Sequence, residues 1–336
     1  MTKGLLDFQV ASFIDHYLHQ CTNYSHDREI EEGLDFFFQT FSFYLRHSYI
    51  TQVMHLELIK RYCSTNGALY AAISSLLNIP YSGAYNLPNS IDSYYKIGLA
   101  MPSLIVDLND LYLRGYTNTS KLYSEDVCKT IFDFIPELSG SMLLSNGRYV
   151  SLPRIELPHI PEDVVLINIP LRELLRREYF VDLLIVKNSA RNLLEYFSRY
   201  EMMLVSGRLC LSFAHVHSLQ SEAAQAWHFD LDGIGFVKQF IYLNDVDENN
   251  GAHMYIPHSH KPGGKNQLLL NRGYSRIADS DMNCMQNGTP ITICGEAGST
   301  FFGSTLCWHK GGAIQSGMRA MIILEYSVSK FQIKVS

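Results

Sequence analysis

The stretch QAWHFDLDGIGFVKQFIYLNDVDENNGAHMYIPHSHK, residues 225–261, decides how the chain is read. It opens on Trp227-His228-Phe229-Asp230, runs through an apolar segment from Ile234 to Leu243, breaks at Asn250-Gly251 and resumes at Ala252–Ile256. In extended backbone, residues two apart share a face. His228 and Asp230 therefore project together from one strand end, and Phe229 faces away. An imidazole and a carboxylate so placed are part of the two-His-one-carboxylate triad, which holds Fe(II) on one face and leaves the other open. His309, far downstream, supplies the second imidazole from a strand distant in sequence but adjacent across a barrel.

Arg319 opens the run Arg319-Ala-Met-Ile-Ile-Leu-Glu-Tyr-Ser-Val328. A guanidinium at the head of such an apolar strand either projects to solvent or meets an anion inside. An interior one grips a carboxylate with two parallel bonds, which lysine does less well. Its place after His309 favours a dicarboxylate cosubstrate. The four residues together point to an oxygenase that uses Fe(II), 2-oxoglutarate and O2.

The His-x-Asp pair carries little weight alone. With 13 His and 33 acidic residues in 336 positions, about one His-x-Asp/Glu match arises by chance. The other match is His55-Leu56-Glu57, in a segment (52–63) that reads as helix, where residues two apart do not share a face. Context separates the two.

Hydrophobic residues make up 47% of the chain, enough for a large core, and the net charge is −6 with no basic run. That balance argues against a nucleic-acid groove, which needs clustered Lys and Arg. The Cys at 21, 63, 128, 210, 284, 294 and 307 show no CxxC and no regular spacing, which suits a reducing compartment. The N-terminus lacks a signal-peptide profile, and no apolar run nears the ~18 residues of a membrane span. A soluble cytoplasmic protein is expected. Aromatic residues, 12% of the chain, suit an apolar substrate pocket.

Roughly the first hundred residues read as helical. Segments 5–21 and 30–47 carry apolar residues at helical spacing; the second has Glu31, Glu32 and Asp35 early and Arg46 and His47 late, as the helix dipole favours. The cluster Phe36-Phe37-Phe38, Phe41, Phe43 and Tyr44 reads as packing surface. Ser124 before Glu125-Asp126 caps another helix, with Val127, Ile131, Phe134 and Ile135 as its stripe. Asn188/Ser189 open one more, to about Tyr200. From about Met203 the pattern shifts to short extended runs at 204–216, 234–243, 252–256, 290–294, 299–302 and 319–328. Helices followed by many short strands predict a mainly β fold with helical dressing, a double-stranded β-helix of jelly-roll or cupin-like form. The polar, Gly- and Asn-rich segment 261–288 reads as a lid. Two domains are expected: a helical N-terminal region over 1–105, offering a surface for a homodimer or a carrier protein, and the barrel over 106–336.

Residues 225–261 resemble the phytanoyl-CoA dioxygenase family. The likeness rests on His228/Asp230, Leu243-Asn244-Asp245, Asn250-Gly251 and the turn Pro257-His258-Ser259-His260-Lys261. His309-Lys310-Gly311 with Arg319 forms a second block, and Leu113-Arg114-Gly115-Tyr116 with the Ser124 helix resembles the family's start, so the likeness spans about residues 106–330. It departs at His258, where the family usually has Gly. The resemblance implies a double-stranded β-helix, Fe(II) held by His228, Asp230 and His309, and 2-oxoglutarate held by Arg319. It also implies that decarboxylation to succinate is coupled to oxidation of a substrate C–H bond. An Asp at 230 implies hydroxylation or a related oxidation, because related halogenases carry Ala or Gly there.

Lys238 shares a strand face with Phe240 and Tyr242. It is a further candidate for the cosubstrate, through the C1 carboxylate, with an acidic substrate or plain solvent as alternatives. His260 reads as a tie within its turn, and Trp227 and Trp308 as packing behind the ligands. The expected substrate is a small metabolite or natural-product intermediate, with no nucleic acid or membrane as partner. Two other readings stay open. His215, His217 and Glu222 have the spacing of a cupin metal motif, although its flanking Gly is out of place (Gly207) and position 313 is Ala. A barrel without catalysis, acting as a binding module, is the other.

Overall fold

The computed structural model describes residues 28–65, 68–76, 110–111, 113–157, 160–188, 190–191, 194, 202–214, 226–233, 235–260, 276–277, 279–283, 288–329 and 331. Among the described residues three helices come first: α1 (Arg28–His47), α2 (Gln52–Ser64) and α3 (Ala68–Leu76). α1 buries Leu34, Phe37, Phe38 and Phe41, one stripe at the spacing of a helix lying on a core. Phe331, from far along the chain, plugs into this stripe, its ring 4.9 Å from Phe41 and 5.1 Å from Tyr44. Thr51 caps α2, its hydroxyl oxygen accepting from Met54 N–H at 3.2 Å. Glu57 of α2 pairs with Arg61 one turn on, at 2.8 Å.

The strands are β1 (Ser120–Lys121), β2 (Gly140–Leu144), β3 (Tyr149–Leu152), β4 (Val164–Pro170), β5 (Met203–Phe213), β6 (Trp227–His228) and β7 (Phe236–Tyr242). Then come β8 (His253–Tyr255), β9 (Arg276–Ile277), β10 (Ile291–Ile293), β11 (Ser299–Gly303), β12 (His309–Gly311) and β13 (Met318–Ser327). Helix α4 (Glu125–Phe134) follows β1 and is capped by Ser124, whose hydroxyl accepts from Val127 N–H at 3.4 Å. Two antiparallel sheets result, ordered β1-β11-β7-β13-β5-β4-β2-β3 and β10-β8-β12-β6-β9. From β5 onward the chain winds between them, so that β11-β7-β13-β5 faces β10-β8-β12-β6. This is a double-stranded β-helix with helical dressing.

Each extended run expected after Met203 is a strand: β5, β7, β8, β10, β11 and β13. The sequence reading does not foresee β2, β3 and β4, which continue the large sheet past β5. Their signal is local. Asn146-Gly147, with Gly147 at φ +79°, makes the tight turn between β2 and β3, and β4 is rich in Val and Ile. The helix expected over 5–21, most of the one opened by Asn188 and most of segment 261–288 lie outside the described residues. The described part of that last segment holds β9 and a short helix, Asp279–Asn283. Among the described residues no helix is long and apolar enough to cross a membrane.

The N-terminal helices share one core with the barrel. Tyr62 on α2 packs 5.2 Å from Phe229. Tyr70 on α3 donates its hydroxyl to Gly233 C=O at 2.9 Å and accepts from Gly235 N–H at 3.0 Å, bracing the segment just past Asp230. Tyr70→Phe leaves both backbone groups without that partner, at a cost of about 1–3 kcal/mol. The expected result is a lower urea midpoint at unchanged denaturant slope.

Candidate metal centre and cosubstrate pocket

The two sheets enclose a cavity of about 350 Å³. Its wall in the large sheet is a lattice set by strand register. Ser212, Cys210, Arg208 and Ser206 on β5 stand opposite Arg319, Met321, Ile323 and Glu325 on β13. Tyr242, Phe240 and Lys238 on β7 stand opposite the last three of these. Every second residue faces in, so the wall runs from Arg319 at one end to Glu325 and Lys238 at the other. In the small sheet His228 on β6 is in register with His309 on β12, and Gly311 with His253 on β8. A wider hollow of about 570 Å³ beside α4 is lined by Glu125, Lys129, Asp245 and Glu296 but by no imidazole; the chemistry lies in the smaller one.

His228, Asp230 and His309 present donor atoms all within 4.8 Å of one another. Asp230 Oδ1 is 3.9 Å from His228 Nε2, and Oδ2 is 3.6 Å from His309 Nε2. Both rings are held in the same way. His228 Nδ1 lies 2.8 Å from Ala226 C=O, and His309 Nδ1 lies 2.9 Å from Cys307 C=O. A carbonyl only accepts, so in the neutral ring Nδ1 carries the proton and Nε2 keeps its lone pair on the Asp230 side. Tyr255 stacks on the His309 ring at 5.4 Å. Phe229, between the ligands, faces the core, 5.1 Å from Trp308. Both tryptophans are buried behind the site, and Lys310 Nζ lies 5.2 Å from the centre of the Trp227 ring.

Lys238 is 7% exposed, which removes the solvent alternative. Its Nζ donates to Asp230 Oδ2 at 2.7 Å and pairs with Asp232 Oδ2 at 2.6 Å. The sequence reading offers it a carboxylate of the cosubstrate; in the structure its partners are two carboxylates of the chain itself. Burial pushes Asp230 up, but Lys238, His309 and His228 outweigh it and hold the carboxyl well below the usual range. Burial lowers Lys238 and the surrounding carboxylates reverse this, so its pKa ends above the ordinary value. Burial lowers His228, and burial together with the neighbouring His228 brings His309 down to about 3.

Arg319 is 6% exposed. Its Nη1 donates to Gly251 C=O and its Nη2 to Ser212 Oγ at 3.4 Å, while Nε has no hydrogen-bond partner. Gly311, two residues past His309, makes room for it: a Cβ there would sit 3.0 and 3.1 Å from the two Nη atoms. A buried guanidinium with an open donor favours an anionic ligand. His253 lines the same cavity, buried, with its Nδ1 likewise unpartnered and its pKa held far down by burial.

The departure at His258 has a local account. Residue 258 sits at φ +64°, the left-handed region that glycine enters without cost. His258 holds it with Nδ1 2.7 Å from Leu113 C=O and its own N–H donating to Arg114 C=O. His260 is buried, its Nδ1 3.4 Å from Cys307 Sγ, so it ties the turn to the segment before His309.

Asp232, Arg208, Ser212, Glu325, His253 and Arg276 also line the cavity, and the sequence reading does not single them out. The two-residue period that joins His228 to Asp230 reaches Asp232, and from Arg319 it reaches Glu325. Among the described residues the cavity lining is mixed: Leu166, Phe240, Met321 and Ile323 stand beside charged groups from both sheets, while most of the aromatics fill the core. His215, His217 and Glu222, the cupin alternative, lie outside the described residues.

The sequence model of the phytanoyl-CoA dioxygenase family matches residues 113–321, more than half of the chain. The chain belongs to that family. The family's iron(II), 2-oxoglutarate and O2 suit the His-Asp-His donor set and the open donor of Arg319. No curated protein matches this phytanoyl-CoA dioxygenase family member by sequence. Among solved structures it is similar to AviO1 from Streptomyces viridochromogenes Tue57, with 15% identity, 68% of this chain and 96% of that one covered, and a TM-score of 0.44. It is also similar to HygX from Streptomyces hygroscopicus with nickel and 2-oxoglutarate bound, at 13% identity, 66% and 86% coverage, and a TM-score of 0.46. The non-heme alpha ketoglutarate dependent epimerase SnoN from nogalamycin biosynthesis gives 13%, 65% and 78%, and 0.45.

The buried histidines make stability depend on pH. The unfolded chain binds protons at these positions below about 6.5, whereas folded His309 does so only near 3. Across that window the unfolded state carries the extra protons, so stability is lost as pH falls. The melting temperature of EDTA-treated protein is expected to drop between these values, and His309→Gln to drop less. An equal drop in the variant removes His309 as a source.

Proposed function

We propose that the chain is a non-haem dioxygenase that couples decarboxylation of 2-oxoglutarate to hydroxylation of a C–H bond in a small metabolite or natural-product intermediate. One convergence carries this reading. Two imidazole nitrogens and a carboxylate within 4.8 Å, and a buried arginine with an unpartnered donor, line the same cavity.

In this reading His228, Asp230 and His309 would hold Fe(II). Arg319, beside Ser212, would hold the far carboxylate of 2-oxoglutarate, with His253 offering Nδ1 to the same pocket. When bound, iron, cosubstrate and O2 supply the oxidising chemistry, leaving succinate and CO2. The rest falls to the chain. The Ala226 and Cys307 carbonyls fix the tautomer that leaves both Nε2 atoms free. Lys238 occupies Asp230 Oδ2 and so favours Oδ1 as the metal-facing oxygen. A role for Lys238 at the C1 carboxylate, as the sequence suggests, would need it to turn from Asp230. The carboxylate at position 230 supports hydroxylation over halogenation. The free thiols of Cys63, Cys128, Cys210, Cys294 and Cys307 suit the proposed cytoplasmic setting.

Anaerobic titration of the Fe(II) protein with 2-oxoglutarate is expected to raise the weak visible band of bidentate chelation; iron-loaded protein without that band would exclude the cosubstrate. Arg319→Ala is expected to weaken 2-oxoglutarate binding about 10- to 150-fold, the loss of about 1.5–3 kcal/mol of charge-assisted bonding, with iron affinity little changed. Asp230→Ala is expected to lose both iron and turnover, and full retention of activity would remove the triad.

A further inference from the structure

Asp230 presents both of its carboxylate oxygens to the donor set. Oδ1 lies 3.9 Å from His228 Nε2, and Oδ2 lies 3.6 Å from His309 Nε2. Each oxygen thus stands beside one imidazole nitrogen, and a carboxylate so placed can give a metal one oxygen or both. The difference matters for the function proposed above, on which this inference rests. Three ligand atoms leave the remaining positions to cosubstrate and O2; a second oxygen from Asp230 takes one of them away.

A single contact distinguishes the two oxygens. Lys238 Nζ donates to Oδ2 at 2.7 Å. An ammonium on a flexible four-carbon stem has three rotatable donors and can pivot about one partner. Here it has a second partner, Asp232 Oδ2, at 2.6 Å. Two carboxylates two residues apart therefore hold one nitrogen between them. Their surroundings are fixed. Lys238 and Asp232 are buried, and Lys238 stands on β7 with β11 on one side and β13 on the other, Glu325 in register with it. The segment that carries Asp232 is tied at the next residue, where Gly233 C=O accepts from the Tyr70 hydroxyl.

We propose that Asp232 and Lys238 form a clamp that confines Asp230 to one metal-facing oxygen, Oδ1, and so keeps a coordination position open for the cosubstrate. Lys238 acts by occupying Oδ2, and Asp232 acts through Lys238; both are positioning residues. The clamp separates two properties that a merely structural ion pair would move together. Without it Asp230 has a second oxygen for the metal, which is held as tightly or more tightly, while the cosubstrate meets a more crowded site.

The test uses the full-length protein under anaerobic conditions, with Lys238→Met, Asp232→Asn and the double variant. Fe(II) affinity is measured by competition with a chelator, and 2-oxoglutarate affinity from the visible band. Water-proton relaxation of the Mn(II)-loaded protein, without cosubstrate, reports the number of waters on the metal. The expected result for Lys238→Met is iron affinity equal to the wild type or higher, 2-oxoglutarate binding weakened about tenfold or more, and fewer waters on the metal. Asp232→Asn is expected to shift all three the same way. The double variant is expected to match Lys238→Met, because the two residues act through one oxygen. It also removes both charges together, so it carries the test if Lys238→Met alone does not fold. Unchanged relaxation in Lys238→Met overturns the proposal, as does unchanged 2-oxoglutarate binding or a loss of iron and cosubstrate together. Tighter 2-oxoglutarate binding in Asp232→Asn overturns it too, because the freed ammonium is then a direct contact of the cosubstrate. If the wild-type band never develops with iron bound, the oxygenase reading fails, while the relaxation comparison still decides whether the clamp limits Asp230 to one oxygen.

Discussion

A carboxylate inside a barrel must be kept ionised before any metal arrives, and the ion pair between Asp230 and Lys238 does this here. At 2.7 Å, with Asp232 on the same ammonium at 2.6 Å, it turns an isolated buried charge into a small network. Removing one member of such a network leaves the others uncompensated, which typically costs about 3–5 kcal/mol. The position of the network follows from the fold. Lys238 lies on β7, between β11 and β13, and only its inward face reaches Asp230. Asp230 is fixed in turn by its N–H bond to Thr305 C=O at 2.7 Å, in the loop that leads to His309. The two ligand-bearing segments are therefore tied together before a metal draws on them.

The same alternation that brings these groups in keeps their neighbours out. Phe229 and Trp308, adjacent to ligands, join the outer core beneath the N-terminal helices. The helices thus support the site from behind, through Tyr62 against Phe229 and Tyr70 across Gly233 and Gly235. At the other end, Gly311 substitutes empty space for a side chain so that Arg319 can lie flat beside β12. Each position is explained by the strand period and by what a side chain would displace.

Much of this was legible in the sequence, for identifiable reasons. His228, Asp230, His309 and Arg319 stand at strand ends whose apolar runs announce them, and the six runs after Met203 are strands. The outward Phe229 follows from the period alone, whereas the period put Lys238 on one face with Phe240 and Tyr242 without saying whether that face met the cavity or solvent. Other features were hidden. β2, β3 and β4 lie where helical segments dominate the reading, and their best signal is the single dipeptide Asn146-Gly147. The partner of Lys238 was hidden because a lysine facing inward declares a need for an anion but not its source. Arg208 and Arg276 line one cavity from two different sheets, on strands 68 positions apart in the chain, which no local pattern connects. His258 looked like a departure from a glycine turn; the compensating bond to Leu113 comes from a segment no local pattern connects to it.

The position of β13 bears on how the molecule comes into being during synthesis. It is the last described strand in sequence, yet it lies in the middle of the large sheet, between β5 and β7. A chain emerging from the ribosome delivers its N-terminal parts first, so β5 and β7 wait with unpaired inner edges until the strand that separates them appears. Pairings this distant in sequence close slowly. His228 and Asp230 emerge long before His309 and Arg319, so a nascent chain displays a two-donor chelator with no third arm. Those edges close, and all three donors and Arg319 come together, only once the final strand has been made.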